Sequence, residues 1–505
     1  MIILKSNKAQ FEYDIHALVK AFYPEEDVRV LTPESVIKDR TIREKPAQME
    51  LVFEEETVRF RMMRSTEETA GEEEKKERTV LDMASEWKQE YIWHVGPEGR
   101  LDYKNAFKRF FYTSLREETG ITLPWGNLTG IRPTKIPMAM LEEGKSEEEI
   151  LTFLETEHLV SRKKAALSLE IAGRERRILQ PLHYENGYSL YIGIPFCPTT
   201  CLYCSFTSFP IGVWKSKVSD YLDALEKEID FLAETYRHKI LDTVYIGGGT
   251  PTSLSAEELD RLLTKLKSSF DFTSVQEFTV EAGRADSITE KKLEVLFRHG
   301  VDRISVNPQT MKQETLRIIG RRHTVEQVEE AFFMARRVGF EHINMDIILG
   351  LPGENAEDVR KTIEAIRALE PDSLTVHSLA VKRASRLAEW IEENGIATLC
   401  NTEETMRIAE EGAHGMGMVP YYLYRQKNMS GNFENVGYAK EGKYGIYNIL
   451  IMEEKQSIVA LGAGTVTKRV YSDGLIKRCD TVKDVAGYIE RIEEMIERKR
   501  VLLCD

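Results

Sequence analysis

From residue 188 onward the chain keeps one rhythm, in which short apolar, β-branched runs are each followed by a stretch with helical spacing. The runs are YSLYIGIPF (188–196), LDTVYIGGG (241–249), EFTVEAG (277–283), DRISVNPQ (302–309), HINMDIILG (342–350) and DSLTVHSLA (372–380). Helices fit between them, opening at the capping boxes Ser255 with Glu258 and Thr324 with Gln327, and Gly339 supplies a stop. Six strand–helix units in succession demand parallel strands with right-handed crossovers, so the expected class is α/β, a partial (β/α)6 TIM-like barrel. Polar or glycine-rich residues gather at the C-terminal ends of these runs: Gly247 to Thr250, Glu281, Gln309, Asp346 and His377. In barrel-like folds that edge is where ligands bind.

Before residue 180 the text is mixed. The segments 1–6 and 48–63 alternate apolar and polar residues as strands do, whereas 101–119 has helical spacing with Tyr103, Phe107, Phe110 and Phe111 on one face, the pattern of a buried face. A Pro- and Gly-rich loop, 124–135, leads to two helices, the second opening at Ser146 with Glu149. The expected division is an α+β accessory domain with a helical linker over 1–183, the barrel over 184–383, and an α+β region over 384–505 that covers the substrate. The acidic stretch 65–78 reads as a solvated loop.

The formal charge of -14 argues against broad nucleic-acid binding, which draws on clustered Lys and Arg, and favours a small-molecule partner. No run of ~18 apolar residues is present and the opening MIILKSNKAQFEYD turns charged early, so no membrane segment and a cytoplasmic location are expected. Oligomeric state is not legible.

Three of the six cysteines, Cys197, Cys201 and Cys204, stand in F-C-P-T-T-C-L-Y-C just after the first strand run. A structural zinc site normally needs a fourth ligand, and no second C-x2-C pair or nearby histidine completes one. A disulfide would not need three thiols on one loop. An iron–sulfur cluster with three thiolate ligands, leaving one iron open, is the reading that this C-x3-C-x2-C spacing favours. The glycines of YIGGGTPT (245–252) allow close backbone approach by a ligand, and the Glu281 carboxylate suits a pair of hydroxyls.

C-x3-C-x2-C at the end of the first strand of a partial barrel resembles the signature of the radical S-adenosylmethionine (SAM) enzymes. That resemblance implies a [4Fe-4S] cluster held by Cys197, Cys201 and Cys204, whose open iron is chelated by SAM. The reduced cluster would split SAM into methionine and a 5′-deoxyadenosyl radical that takes hydrogen from unactivated carbon. YIGIPFCPTTCLYCSF, YIGGGTPT, EAGRADS, RISVNPQ, GRRHT and NMDIILGLP follow in an order similar to the oxygen-independent coproporphyrinogen III oxidase family, over about residues 185 to 470. Residues 419–442 and the long N-terminal domain look most like its HemZ-type branch.

The resemblance implies roles position by position. Tyr191 and Tyr203 flank the cofactor near the cluster; Gly248, Gly249 and Thr250 meet its methionine part; Glu281 meets its ribose. Gln309, Arg321, Asp346, Ala380 and Val466 match further SAM contacts, and one or two SAM molecules are implied. The implied reaction is oxidative decarboxylation of two propionates of coproporphyrinogen III to vinyl groups, giving protoporphyrinogen IX in anaerobic haem synthesis. It calls for a flavodoxin- or ferredoxin-like reductase and an electron acceptor. Arg322, Lys382, Arg383, Arg425 and Lys427 are candidate cations for the tetrapyrrole carboxylates, and Tyr421, Tyr422, Tyr424 and Met429 candidate pocket walls.

Two departures qualify the resemblance. The oxidases carry a further cysteine two positions after the triplet, where this chain has Phe206, in C-S-F, close to the C-D-F of the haem-chaperone branch. That branch carries H-N-x-x-Y-W near its end, and the matching text here, Tyr447-Asn448-Ile449-Leu450-Ile451-Met452, lacks the histidine. A haem chaperone and an enzyme of anaerobic haem modification or breakdown therefore stand as alternatives.

Overall fold

The computed structural model describes residues 1–35, 47–63, 87–96, 102–206, 208–382, 385–395, 399–426 and 432–504. The acidic stretch 65–78 lies outside the described residues, as do Arg383, Lys427 and Met429. Contacts divide the chain into two compact units, 1–133 with 139–169, and 134–138 with 170–505.

The first unit is built on a five-stranded sheet of order β2-β1-β3-β4-β5, formed by β1 (Ile2–Ser6), β2 (Val28–Leu31), β3 (Met49–Phe53), β4 (Thr57–Met63) and β5 (Trp87–His94). The helix Tyr103–Thr119 buries Phe107 and Phe111 completely, with Tyr103 and Phe110 packed at the edge of the same core. That is the face its sequence spacing predicts. Glu12–Phe22 buries Ile15, Leu18, Val19 and Phe22, an i, i+3, i+4, i+7 stripe that its sequence carries, whereas the four-residue β2 has no such signal.

The second unit holds an eleven-stranded sheet. Its centre is β6 (Gly187–Ile194), followed, after the two-residue strands β7 (Phe196–Cys197) and β8 (Phe209–Pro210), by β9 (Ile240–Gly248), β10 (Glu277–Gly283), β11 (Arg303–Val306), β12 (Ile343–Leu349) and β13 (Ser373–Ser378). The order β6-β9-β10-β11-β12-β13 is that of the sequence, and every neighbouring pair is parallel. A sheet that never reverses its winding has no crevice at a switch point, so its ligand edge is the C-terminal rim, as in a barrel. The capping boxes at Ser146, Ser255 and Thr324 form as their sequences dictate, and Gly339 ends its helix at φ 120°.

Beyond β13 lie antiparallel β15 (Asn435–Ala439) and β14 (Val419–Tyr424). On the other side, β16 (Ser457–Leu461) adds parallel to β6 and carries antiparallel β17 (Val466–Val470) and β18 (Ile476–Asp480). The expected run 302–309 contributes a strand of only four residues. The ladder is interrupted at Asn307 and Pro308, and Gln309, at φ 68°, rejoins β12 as an isolated parallel bridge opposite Ile347, with its N–H on Asp346 O and its carbonyl accepting from Ile348 N–H. Among the described residues no helix is long and apolar enough to cross a membrane.

One buried charge in this unit gives a pH-dependent prediction. Both carboxylate oxygens of Glu175, on the helix Arg162–Leu179, are buried without a hydrogen-bond partner among the described residues. Burial, reinforced by Glu453, holds its pKa well above the ordinary value. The folded protein therefore keeps a proton that the unfolded chain releases, so stability falls as pH rises above the unfolded value. Glu175→Met should stabilise the protein by an amount growing up to about 1.4 kcal/mol per pH unit above pH 5. Denaturant melts at pH 5 and 8 check this; an equal shift at both would contradict it.

Candidate functional site

The site is assembled along the C-terminal rim of the parallel strands. After β6 the chain pairs β7 with β8, placing Phe196 opposite Phe209 and Cys197 opposite Pro210, and so closes the cysteine loop on itself. Cys197 and Cys201 are buried and Cys204 is half-buried, all as free thiols. Burial pushes the Cys197 thiol up to about 11, with Cys201 and Cys204 near enough to add to the shift. The Thr250 hydroxyl lies 3.3 Å from the Cys197 sulfur.

Two guanidinium groups flank Cys201. Arg284, almost wholly buried, lies 3.8 Å from the Cys201 sulfur through Nη1, donates to the Thr199 carbonyl at 2.9 Å, and forms an ion pair with Asp286 at 2.7 Å. Burial alone would raise the Asp286 carboxyl, yet His323 and Arg284 hold it well below the usual range. Arg321 donates to the Asn307 carbonyl and, at 3.2 Å, to the Tyr203 hydroxyl. These cations oppose the negative charge that thiolates and a cluster would bring to the loop.

The glycine turn after β9 closes on the cysteine loop. Gly249 N–H donates to Ile194 O and Thr250 N–H to Phe196 O, each at 2.7 Å. Two donors that the sequence leaves open to a ligand are therefore spent on holding the loop, and the glycines are required by the close approach of Ile194, Phe196 and Glu281. A Cβ on Gly247 would stand 2.9 Å from the Glu281 carboxyl carbon, and one on Gly249 would stand 2.6 Å from Phe196 O. Gly248 adopts φ 108°, a conformation that L side chains rarely accept.

Glu281, at the end of β10, accepts from the Tyr245 hydroxyl at 2.6 Å. Burial pushes its pKa up to about 7 against that hydrogen bond, and Asp346 adds to the rise. Tyr191, Tyr245 and Tyr447 form a stacked column beside it, with Tyr245 and Tyr447 centroids 4.4 Å apart and Tyr191 to Tyr245 6.0 Å. Asp346 accepts from Asn344 Nδ2 at 2.7 Å and faces His377 Nε2 at 3.8 Å. Burial would raise its pKa, but these partners lower it. Tyr424 reaches His377 Nδ1 at 3.3 Å.

Among the described residues, Arg321 Nε, Gln309 Oε1 and Asn307 Oδ1 are buried rim atoms without a hydrogen-bond partner. Gln309 also holds its positive φ. Orphaned donors and acceptors and backbone strain are costly, and their concentration beside the thiols is what a site for a polar ligand shows. Tyr203 packs half-buried among Leu202, Leu316 and Ile319. Ala380 is half-buried just past β13, and Val466, at the start of β17, is 37 % exposed, the least enclosed residue of the set.

The residues present fit a [4Fe-4S] cluster and SAM. Three thiols share one loop with cations beside them, and orphaned polar atoms line the rim. No three His, Cys, Asp or Glu side chains among the described residues converge on a single metal ion; a four-iron cube spreads its ligands more widely. Sequence reading missed Arg284, Asn307 and Tyr245, and read Tyr447 only as the place of an absent histidine. Arg284 and Asn307 stand inside the motifs EAGRADS and RISVNPQ, so position relative to the strand end was the available signal.

Of the candidate tetrapyrrole cations, Arg322 is exposed and Lys382 is half-buried, its Nζ 5.4 Å from the Phe206 ring centroid. Arg425 is buried and donates to Asn432 Oδ1 at 2.7 Å, which ties it to its own loop. Tyr421 and Tyr422 pack into a core with Leu179, Leu182 and Leu450.

Arg284→Gln should lower the midpoint potential of the bound cluster, because losing a buried positive charge next to a ligand sulfur disfavours the added electron. A spectroscopic redox titration against the parent protein checks it. An unchanged or raised potential would show that Arg284 serves only the loop.

The pattern of the Radical SAM superfamily matches residues 191–366. The chain is 42% identical over 401 residues to the oxygen-independent coproporphyrinogen-III oxidase-like protein HemZ of Bacillus subtilis (strain 168), covering 78% of this chain and 80% of that one. To the haem chaperone HemW of the same organism it is 40% identical over 199 residues, 38% of this chain and 51% of the relative. Among solved structures, coproporphyrinogen III oxidase (HemN) from Escherichia coli superposes with a TM-score of 0.50 at 22% identity, over 64% of this chain and 72% of that one. That likeness speaks for the fold.

Proposed function

This chain belongs to the HemZ-type branch of the oxygen-independent coproporphyrinogen III oxidase family of radical SAM proteins, with its [4Fe-4S] cluster and SAM, and from that premise we propose that it oxidatively decarboxylates coproporphyrinogen III. The observation that carries the choice is Tyr447. It occupies the place of the chaperone branch's histidine, yet it is only 6% exposed and stacks on Tyr245 within the barrel. A side chain so enclosed, and lacking an imidazole nitrogen, is poorly placed to ligate haem iron.

In this reading Cys197, Cys201 and Cys204 hold three corners of the cluster. When bound, the cluster and SAM supply a carbon-centred oxidant able to take hydrogen from unactivated carbon. Gly248, Gly249 and Thr250 shape the space for the methionine part of SAM, and Arg321 offers its unpartnered Nε to the carboxylate. Glu281, held by Tyr245, meets the ribose hydroxyls. Gln309, Asp346, Ala380 and Val466 complete the rim, and Tyr191 and Tyr203 flank the cluster. Lys382 and Arg322 are the described cations offered to the substrate's carboxylates. Two propionates give two vinyl groups and two molecules of carbon dioxide. The electrons released go to an acceptor, while a reductase supplies the cluster.

Anaerobically reconstituted protein with reductant, SAM and an electron acceptor should convert coproporphyrinogen III to the divinyl product. SAM cleavage without that product would overturn the assignment. Phe206 in C-S-F gives the chaperone reading its one specific support; stoichiometric haem binding with a Soret shift and no turnover would favour it.

A further inference from the structure

The two most exposed large apolar side chains among the described residues are Val213, at 76%, and Phe206, at 70%; Val501 follows at 59%. Both stand within nine residues of Cys204, on the segment running from the cysteine loop through β8. That segment is fixed to the loop. Phe209 N–H donates to Pro195 O at 2.7 Å, β8 pairs with the strand that carries Cys197, and Trp214 packs edge-on against Phe209 at 5.4 Å. The Phe206 backbone N–H bonds to the Cys204 sulfur.

Cations rim the apolar centre. Lys215 and Lys217 are exposed, Lys217 pairing with Asp220 at 2.9 Å; the Lys382 ammonium over the Phe206 ring is offered to the substrate and is not counted among them. On a chain of net charge -14, a local lysine set beside bare apolar groups is a departure from the surrounding field. Of the three loop thiols, Cys204 is the one nearest to solvent, since Cys197 and Cys201 are buried.

We propose that this face, centred on Phe206 and Val213, is the docking surface for a small acidic one-electron carrier protein. The inference rests on the radical reading above. Electron transfer weakens steeply with distance, so a donor is best seated over the ligand sulfur closest to the surface. The carrier's reduced centre gives up one electron and the cluster gains it; no atom or proton changes hands. Apolar contact supplies the centre of the interface, and the lysines attract an acidic partner that the rest of the chain repels.

The test uses the full chain, anaerobically reconstituted, with reduced acidic flavodoxin as the probe. Its dissociation constant and the rate of cluster bleaching are read at low and high salt. The Phe206→Ser, Val213→Ser double variant should weaken binding by about tenfold, and bleaching at subsaturating flavodoxin should slow in proportion. The Lys215→Glu, Lys217→Glu variant should weaken binding at low salt and flatten its salt dependence. SAM cleavage driven by dithionite, which needs no docking, should match the parent protein in both.

Unchanged affinity in both variants would overturn the proposal. So would loss of dithionite-driven cleavage, which would place these residues in the active site or the fold, or a change in solution mass, which would make the face an interface between copies. A parent protein that binds no iron, or fails with dithionite, defeats the radical reading instead.

Discussion

Cys201→Ala should leave a folded protein that has lost its iron. Cys201 contributes a small buried thiol to a loop already held by β7–β8 pairing and by the Gly249 and Thr250 backbone bonds to Ile194 and Phe196. None of these bonds uses its sulfur. The cluster, by contrast, keeps only two of its three thiolates, and Arg284 and Arg321 lose the sulfur that both of them approach. Iron should fall from about four per chain to near zero, SAM cleavage should fall to background, and the circular dichroism of the two proteins should superpose. A variant that retains iron and cleaves SAM would show that another group serves as ligand.

The second large effect lies in the C-terminal flank of the sheet. Lys499, on the helix Ile492–Cys504, is fully buried and forms an ion pair with Glu228, on the helix Val218–Thr235. Glu228 also accepts from the Tyr488 hydroxyl at 2.6 Å and from Gly462 N–H at 2.8 Å. The Gly462–Thr465 turn in turn packs against Gly193 at the end of β6. Lys499→Met removes one charge and leaves the other buried, which costs about 3–5 kcal/mol. For a unit of this size that corresponds to a fall in melting temperature of about 4–7 °C. Adding Glu228→Gln should recover part of the loss, because the stranded charge is then gone. The exposed pair Arg407–Glu411 is the control, where truncation should cost under about 0.5 kcal/mol. A single variant as stable as the parent would mean that Glu228 is satisfied without Lys499.

The barrel was legible because its strands obey a local rule. Buried parallel strands are continuous apolar runs, and each of the six carried such a run with a turn signal at its end. The caps at Ser146, Ser255 and Thr324 were legible for the same reason, since both halves of a capping box lie within four residues. The cysteine loop could be read by spacing alone. What sequence did not show was pairing over long separations. β16 joins β6 from more than 260 residues away, and nothing local marks it as the barrel's flanking strand.

The site divides along the same line. Cys197, Glu281 and Gln309 sit at or near strand ends and could be read from position, whereas Asp346, expected at a strand end, lies at the middle of β12. Arg284 looks like any charged loop residue until its burial against Cys201 is seen. Tyr447 read only as a substituted histidine, and its stacking on Tyr245 depends on a helix that packs from the far end of the chain. The glycine turn was located correctly, but two of its N–H groups turned out to serve the fold.

Electron paramagnetic resonance of the reduced protein, with and without SAM, tests the whole account most directly. Oxygen-free preparations carrying about four irons per chain should give a cluster signal that changes shape when SAM is added. Far fewer irons, or a signal indifferent to SAM, would contradict it.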